Sequence, residues 1–164
     1  MKFIKNYANI KIRQPDLTNI YDSVIGNGTS IGAFTEIGGA RIGKDCKIQA
    51  HVFIPPGTEI GNNVFIGPGV RFCNVMKPDP YKGADQYHGV KVAEGAVIGA
   101  GSIILPGILI WTNAFIGAGS VVTKNCQPFG LYYGNPARYI RKVYQDKEGF
   151  IKDEVDGAEF IHEQ

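Results

Sequence analysis

The residues of this chain that could do chemistry concentrate in one short segment, between Phe72 and Val92. Cys73 and Asn74 open the segment, and His88 lies near its end. An imidazole can accept or donate a proton near neutral pH, and an amide can donate hydrogen bonds to a substrate. No histidine adjoins Cys73 in the sequence, so a catalytic thiol is not expected. Asn is also common in turns, and a purely structural role for Asn74 stays open.

The elements that must position these residues follow from a period of six. Gly follows most of the repeated aliphatic anchors, and a small or β-branched residue lies four positions after them. This period is neither helical nor that of a simple strand, and it predicts a parallel β-helix of about five triangular coils, three hexapeptides to a coil. The anchors are Ile25, Ile31, Ile37, Ile42, Ile48, Ile54, Ile60, Ile66, Phe72, Val92, Ile98, Ile104, Ile110, Ile116 and Val122.

The repeat breaks once, at the segment that carries the candidate chemistry. Phe72 and Val92 are 20 positions apart where the repeat expects 6, so fourteen extra residues should be extruded from one corner of the prism. Insertions at the turns of a solenoid commonly build its binding face. A slim prism also exposes much apolar surface, which packing of three copies would cover. We therefore expect a homotrimer with binding clefts between neighbouring subunits.

Composition narrows the classes of function. The net charge of +2 gives no general basic field, so neither nucleic acid nor an acidic membrane surface is an expected partner. The apolar stretch 96–111 is short, contains Gly and Pro, and follows the six-residue pattern, which favours buried coils over a membrane helix. The N-terminus lacks the apolar core of a signal peptide. Three cysteines do not indicate a disulfide framework, and a reducing, cytoplasmic setting is expected.

The chain is expected to divide into a repeat domain and a tail. The repeat domain covers 1–143, with residues 1–24 capping the first coil and a short helix over Ala137–Val143 after the Gly134–Asn135–Pro136 turn. The remaining residues, 144–164, are charged and contain Gly. We expect either a second short helix or a loose tail there.

Four strings resemble one known family: IQAHVFI (48–54), NVFIGPGVRFCN (63–74), EGAVIGAGSIILPGI (94–108) and GNPARYI (134–140). With the hexapeptide run, they resemble the left-handed β-helix acyltransferases over about residues 20–143. Within that superfamily the chain most resembles the nucleotide-sugar N-acetyltransferases that acetylate a 3-amino sugar for surface polysaccharides. The resemblance implies acetyl-CoA as the acyl donor, a nucleotide-sugar acceptor and no metal.

For the donor, the resemblance implies a groove between adjacent subunits. Small residues at successive turns would let the pantetheine arm approach the backbone, whose N–H and C=O groups can bond its amides. Repeat geometry alone also explains small residues there. Lys124 and Arg138 fall where the family's CoA phosphates lie, although each can equally be a solvated charge. The small residues are Gly99, Ala100, Gly117 and Ala118.

For the acceptor, Asn74 matches an Asn of the family at the start of the extruded loop. Its amide would hold the sugar's amine or donate to the developing oxyanion. The family's Asn is commonly followed by Asp, and here Val75 follows. His51 matches a family position at a coil turn, where it can touch ligand or bond a neighbouring backbone. Two weaker candidates are Phe34, for stacking on a base, and Glu36, for a ribose or sugar hydroxyl.

His88 decides between two acceptor chemistries. Related O-acetyltransferases use a His as general base, because a hydroxyl must lose its proton as it attacks. They usually carry it just after the GPGV-like string, and here that segment, RFCNVMKPDP, has none. A neutral amine is already a good nucleophile, so the pattern favours N-acetylation. O-acetylation with His88 as base remains the alternative.

Three other classes of function make specific demands on the sequence. A zinc carbonic anhydrase of the same fold needs three converging histidines, and this chain has only His51, His88 and His162. An ice-binding or scaffold solenoid would carry regular Thr ladders and no large loop. A nucleotide-sugar-binding domain without activity is compatible with Val75.

Overall fold

The computed structural model describes residues 4–5, 9–81, 87–145 and 151–153. Within these ranges a 3-10 turn covers Pro15–Leu17, and all other regular elements are strands. In chain order the strands are β1 (Ile4–Lys5), β2 (Lys11–Ile12), β3 (Asn19–Tyr21), β4 (Ser23–Ile25), β5 (Ser30–Ile31), β6 (Glu36–Gly38), β7 (Arg41–Ile42), β8 (Lys47–Ile48), β9 (Phe53–Ile54), β10 (Glu59–Ile60), β11 (Phe65–Ile66), β12 (Arg71–Phe72), β13 (Lys91–Val92), β14 (Val97–Ile98), β15 (Ile103–Ile104), β16 (Leu109–Ile110), β17 (Phe115–Ile116), β18 (Val121–Val122), β19 (Gly130–Gly134), β20 (Ala137–Gln145) and β21 (Ile151–Asp153).

The strands form three parallel sheets, and successive strands move from one sheet to the next. The first sheet has the order β1-β4-β7-β10-β13-β16, and the third has β3-β6-β9-β12-β15-β18. The second sheet has the order β2-β5-β8-β11-β14-β17-β19-β20-β21. Strands β1–β18 therefore wind as six triangular coils. The predicted parallel β-helix is confirmed, and the predicted number of coils was one too low.

The missing coil is the first one. Residues 1–24 were predicted to cap the repeat, but β1, β2 and β3 form a full coil that pairs with the next. Ile12 is in register with Ile31, and Ile20 with Ile37. The step from Ile12 to Ile20 is longer than six residues because the 3-10 turn intervenes. The six-residue pattern therefore does not detect this coil.

The core is the column of anchors inside the prism. Ile31, Ile54 and Ile98 are fully buried, and the small residues between them are buried as well. Buried hydroxyls are satisfied by carbonyls at the turns: Thr29 Oγ1 donates to the Gly43 oxygen at 2.9 Å, and Ser102 Oγ to the Gly99 oxygen at 2.8 Å. Each coil thus buries apolar surface against its neighbours, and these buried hydroxyl groups keep hydrogen-bond partners.

A matched pair of substitutions on β15 tests this packing. Ile104 is fully buried, while the adjacent Ile103 is 37% exposed. Ile104→Val should lower the free energy of unfolding by about 0.5–1.5 kcal/mol, because it leaves a cavity in the core. Ile103→Val should change it by less than about 0.5 kcal/mol, since its side chain faces outward. Urea unfolding of both variants checks the difference, and equal effects would contradict the inward and outward assignment.

The predicted helix over Ala137–Val143 is wrong. These residues lie in β20, which pairs antiparallel with β19 and continues the second sheet beyond the last coil. Tyr132 lies opposite Tyr139 with ring centroids 5.5 Å apart, and Val143 is buried. The physical reason is the unpaired edge that the last coil leaves, which β19 and then β20 cover.

The boundary between repeat domain and tail stays a prediction. Most of the predicted tail, 144–164, lies outside the described residues. Its described part includes β21, which pairs antiparallel with β20 through Val143, Tyr144 and Gln145.

Two corners of the prism matter for function. The loop corner joins the third sheet to the first, and residues 73–90 leave it between β12 and β13, as predicted; residues 82–86 lie outside the described ranges. The smooth corner joins the second sheet to the third. It consists of residues 32–34, 49–51, 67–69, 99–101 and 117–119 on five successive coils. These two corners are opposite edges of the third sheet.

Candidate functional site

Asn74 and His88 meet at the neck of the extruded loop. The His88 backbone N–H donates to the Asn74 carbonyl at 2.7 Å, which closes the loop, and the Gly107 N–H donates to the His88 carbonyl at 2.9 Å. The His88 side chain is exposed. The structure therefore brings these two predicted residues together through their backbones and presents the imidazole to solvent.

The Asn74 side chain has a structural contact of its own. Its Nδ2 donates to the Pro56 carbonyl at 3.2 Å, which ties the start of the loop to the preceding coil. This bond supports the turn interpretation of Asn74. A side-chain amide has two N–H donors and an acceptor oxygen, so the bond engages one of three groups. The amide can anchor the loop and still face a ligand.

The cysteines do not fit nucleophilic chemistry. Cys73, half-buried beside the loop neck, has its pKa raised by burial. Burial also raises the pKa of Cys46, and raises that of Cys126 to about 12. A thiol with a raised pKa stays protonated at neutral pH, and the thiolate is the reactive form. Cys46 and Cys126 occupy the buried small-residue position, as the repeat predicts.

The smooth corner presents an open strip on its last two coils. Ala100 and Ala118 are exposed, and Cβ atoms built on Gly101 and Gly119 would meet nothing within 4 Å. Gly101 and Gly119 have positive φ, and their N–H groups bond the Pro68 and Ala100 carbonyls of the preceding coils at 2.8 and 2.7 Å. A slender ligand can therefore lie against the backbone here. Gly101 and Gly119 were not among the predicted residues, although they share the turns of those that were.

Gly99 and Gly117, in contrast, have a packing reason to be glycine. A Cβ on Gly99 would lie 2.5 Å from the Ala118 nitrogen, and one on Gly117 would lie 2.9 Å from the Tyr133 Cβ. Their predicted contact with the donor stays a prediction, while their absence of a side chain follows from coil stacking.

Phe34 and His51 form an aromatic stack at the other end of the smooth corner. Their ring centroids are 4.9 Å apart and the ring planes differ by 15°. Both residues have left-handed backbones, with φ of 57° and 61°, at the turn position that glycine occupies in later coils. The His51 N–H bonds the Ala33 carbonyl at 3.0 Å. The two predicted acceptor residues therefore lie together, with both side chains exposed.

Glu36 lies on the third sheet, next to the smooth corner. Its Oε1 accepts a hydrogen bond from the Tyr21 hydroxyl at 3.3 Å. Burial first, and the Glu36 charge second, raise the pKa of Tyr21. Glu36 is thus partly engaged by its own chain, and its contact with a ligand hydroxyl stays a prediction.

Lys124 and Arg138 line one cavity at the C-terminal end of the solenoid. The cavity has a volume of about 280 Å³, and Tyr132 and Tyr139 form part of its wall. Both cations are exposed. The hairpin of β19 and β20, which the sequence did not reveal, brings Arg138 to this position. The pair can bind an anionic group.

The candidates therefore fall at two corners rather than in one site. Phe34, His51 and the open strip share the smooth corner, while Asn74 and His88 share the loop corner. The two sets lie at opposite edges of the third sheet. No group of three or more His, Cys, Asp or Glu side chains that could hold a metal ion occurs among the described residues. In the same ranges, no helix is long and apolar enough to span a membrane.

Two family descriptions match consecutive parts of the chain. "Bacterial transferase hexapeptide (six repeats)" matches residues 39–74, and "Hexapeptide repeat of succinyl-transferase" matches residues 89–124. The matches lie on either side of the extruded loop, in the coils that carry both corners.

One curated relative is the galactoside O-acetyltransferase of Lactococcus lactis. It is 39% identical over 88 residues, which are 51% of this chain and 42% of that protein. The chain spans less than half the length of the curated relatives it matches.

Solved structures share the fold. A variant of AntD, described as an N-acyltransferase from Bacillus cereus in complex with dTDP and coenzyme A, is 25% identical with a TM-score of 0.66, covering 85% of this chain and 79% of that chain. A hexapeptide-repeat acetyltransferase from Vibrio cholerae, complexed with acetyl-CoA, has a TM-score of 0.66 at 24% identity, covering 79% of this chain and 73% of that chain.

Proposed function

Because this chain belongs to the hexapeptide-repeat family, we propose that it transfers an acetyl group from acetyl-CoA to an amino group of a nucleotide-linked amino-deoxysugar. Such a product would serve surface polysaccharide synthesis. The observation that carries the proposal is the smooth corner, where an open strip at Ala100 and Ala118 adjoins the turn positions that hold the Phe34–His51 stack in earlier coils.

The donor lies along the open strip. Its pantetheine amides bond backbone groups at Gly99, Ala100, Gly117 and Ala118, and its phosphates bind Lys124 and Arg138 at the C-terminal end. The orientation of the donor, with its phosphates at the C-terminal end, is supported by the cavity that Lys124 and Arg138 both line. AntD, a structural relative, is described in complex with coenzyme A.

The acceptor binds toward Phe34, Glu36 and His51. The description of AntD as an N-acyltransferase in complex with dTDP supports a nucleotide-linked amine. The neutral amine attacks the thioester carbonyl, so that a C–N bond forms and the C–S bond breaks. The departing thiolate takes the amine's proton. The Asn74 amide stabilises the oxyanion, and catalysis comes chiefly from positioning and electrostatics.

A homotrimer completes the site. Asn74 and His51 lie at opposite edges of the third sheet, and packing three prisms side by side would bring one chain's loop corner to the neighbour's smooth corner.

The proposed setting is reducing and cytoplasmic. Three free cysteines, with no disulfide among the described residues, support it.

O-acetylation of a sugar is the second candidate. The exposed His88 imidazole at the loop neck and the likeness to a galactoside O-acetyltransferase favour it. In that reaction His88 takes the hydroxyl proton as general base. The two reactions differ in whether they need His88 as a base, so a His88 variant can separate the two candidates.

The test is to incubate the protein with acetyl-CoA and a panel of acceptors. Turnover is measured as the release of the free thiol of coenzyme A. We expect turnover with nucleotide-linked 3- or 4-amino sugars, and we expect His88→Ala to retain it within about threefold, because an amine needs no general base once neutral. Turnover with hydroxyl sugars only, abolished in His88→Ala, would establish the O-acetyl reaction instead.

A further inference from the structure

We propose that Arg71 and the free face of His51 form the nucleotide subsite, with Arg71 binding the diphosphate and His51 stacking on the base. This inference rests on the proposed function, since it names the residues that would hold the nucleotide part of the acceptor. Neither Arg71 nor its neighbour Gly69 takes part in the proposed acetyl transfer.

Arg71 is an exposed cation without a compensating charge. In the third sheet it is in register with Phe53 and Ile103, two apolar residues that are each 37% exposed. Its Nη1 donates to the Gly69 carbonyl at 3.4 Å. It has no ion-pair partner among the described residues. Lys91, at the corresponding place on the first sheet, is paired with Glu59 at 3.5 Å. An unpaired guanidinium on an apolar face suits a phosphate, which it can bind in a forked geometry.

His51 has one covered face and one open face. Phe34 of the preceding coil covers the first face. The equivalent turn position of the next coil is Gly69, where an added Cβ would meet nothing closer than the Gly101 Cα at 3.9 Å. Non-glycine residues are tolerated at this turn, as Phe34 and His51 show, so glycine here leaves space for a ring. The spacing of stacked coils suits one further planar ring on His51.

The two features adjoin each other at Gly69. The Arg71 guanidinium contacts the Gly69 carbonyl, and Gly69 forms the floor next to the open face of His51. A nucleoside diphosphate joins a planar base to a charged diphosphate through one ribose. It therefore matches a stacking face with a cation beside it. Coenzyme A also carries a base and phosphates, but Lys124 and Arg138 offer it a separate pair of cations at the C-terminal end of the solenoid.

Calorimetric titration of the full chain with dTDP and with UDP tests the subsite. Arg71→Gln should weaken binding of the preferred nucleotide at least tenfold and leave the affinity for coenzyme A within twofold. The matched control is Arg41→Gln, an exposed arginine of the first sheet, which should change neither affinity. Higher salt should weaken nucleotide binding to the wild type, because the contact is exposed.

A second variant tests the stacking face. Gly69→Asn fills the space above His51 with a residue that accepts positive φ, and it should weaken nucleotide binding at least tenfold with the fold retained. Unchanged nucleotide affinity in Arg71→Gln and Gly69→Asn would overturn the subsite, as would an Arg71→Gln effect on coenzyme A alone.

Failure of the proposed function would look different. If the wild-type chain transfers no acetyl group to any acceptor, the proposed acetyltransferase activity is overturned, whatever its affinity for nucleotides. Wild-type chain that acetylates amino sugars, with an unchanged KM for the acceptor in Arg71→Gln, overturns only the subsite.

Discussion

Replacing Ala118 by Phe should raise the KM for acetyl-CoA about 100-fold, because the ring would occupy the strip where we propose that the pantetheine arm binds. Ala118 is exposed, and the turn position beside it, Gly119, has nothing within 4 Å of its built Cβ. A larger side chain at Ala118 would therefore extend into the proposed donor strip. Steady-state kinetics with varied acetyl-CoA measures the effect.

Glu94→Phe is the matched control for the Ala118→Phe variant. Glu94 is the exposed residue at the corresponding turn between the first and second sheets, away from both candidate corners. It should leave KM for acetyl-CoA within twofold, and neither variant should shift the unfolding midpoint by more than a few degrees. Equal KM in Ala118→Phe and the wild type would contradict a donor that lies along the smooth corner.

Removing the Asn74 side chain should lower kcat by about 10²–10³, the cost of losing one donor to a developing oxyanion. Asn74→Ala should leave the affinity for coenzyme A nearly unchanged, since the donor is proposed to lie along the smooth corner of a neighbouring chain. Turnover and calorimetric titration with coenzyme A, measured on the same preparation, separate the two quantities.

The structural contact of Asn74 requires its own control. Its bond to the Pro56 carbonyl could matter for the loop alone. Asn74→Asp keeps the side chain's size but removes both N–H donors, so it loses the Pro56 bond together with any donation to the substrate and should lose as much kcat as Asn74→Ala. The affinity for coenzyme A and the free energy of unfolding then separate the two roles. Equal loss of kcat and coenzyme A affinity, with a lower free energy of unfolding, would show that Asn74 only holds the loop.

The sequence predicts the fold where the pattern repeats locally. Anchors such as Ile66 and Ile98 have the same neighbours on every coil, so their six-residue spacing determines burial. The first coil breaks that spacing at the 3-10 turn, and β20 depends on an edge that only the finished solenoid provides. In 137–143, the preceding turn with Pro136 suggested the start of a helix, and the pairing of Tyr139 with Tyr132 decided otherwise.

The candidate site was predictable by residue type but not by arrangement. The break in the repeat predicts the extruded loop, whereas the backbone bond that joins Asn74 to His88 at its neck is found only in the structure. The stacking of Phe34 on His51 depends on two turns lying one above the other, which no single hexapeptide reveals. Arg71 carries no motif. Its significance comes from its apolar neighbours across the sheet and from the glycine beside it.

A crystal structure of the chain with acetyl-CoA tests the central claim most directly. We predict density for the pantetheine arm along Ala100 and Ala118, with the phosphates at Lys124 and Arg138 and the thioester facing the loop corner of a neighbouring chain. Binding instead in the groove of the first sheet beside Trp111, which has a volume of about 440 Å³, would contradict the account, as would the absence of bound donor at saturating concentration.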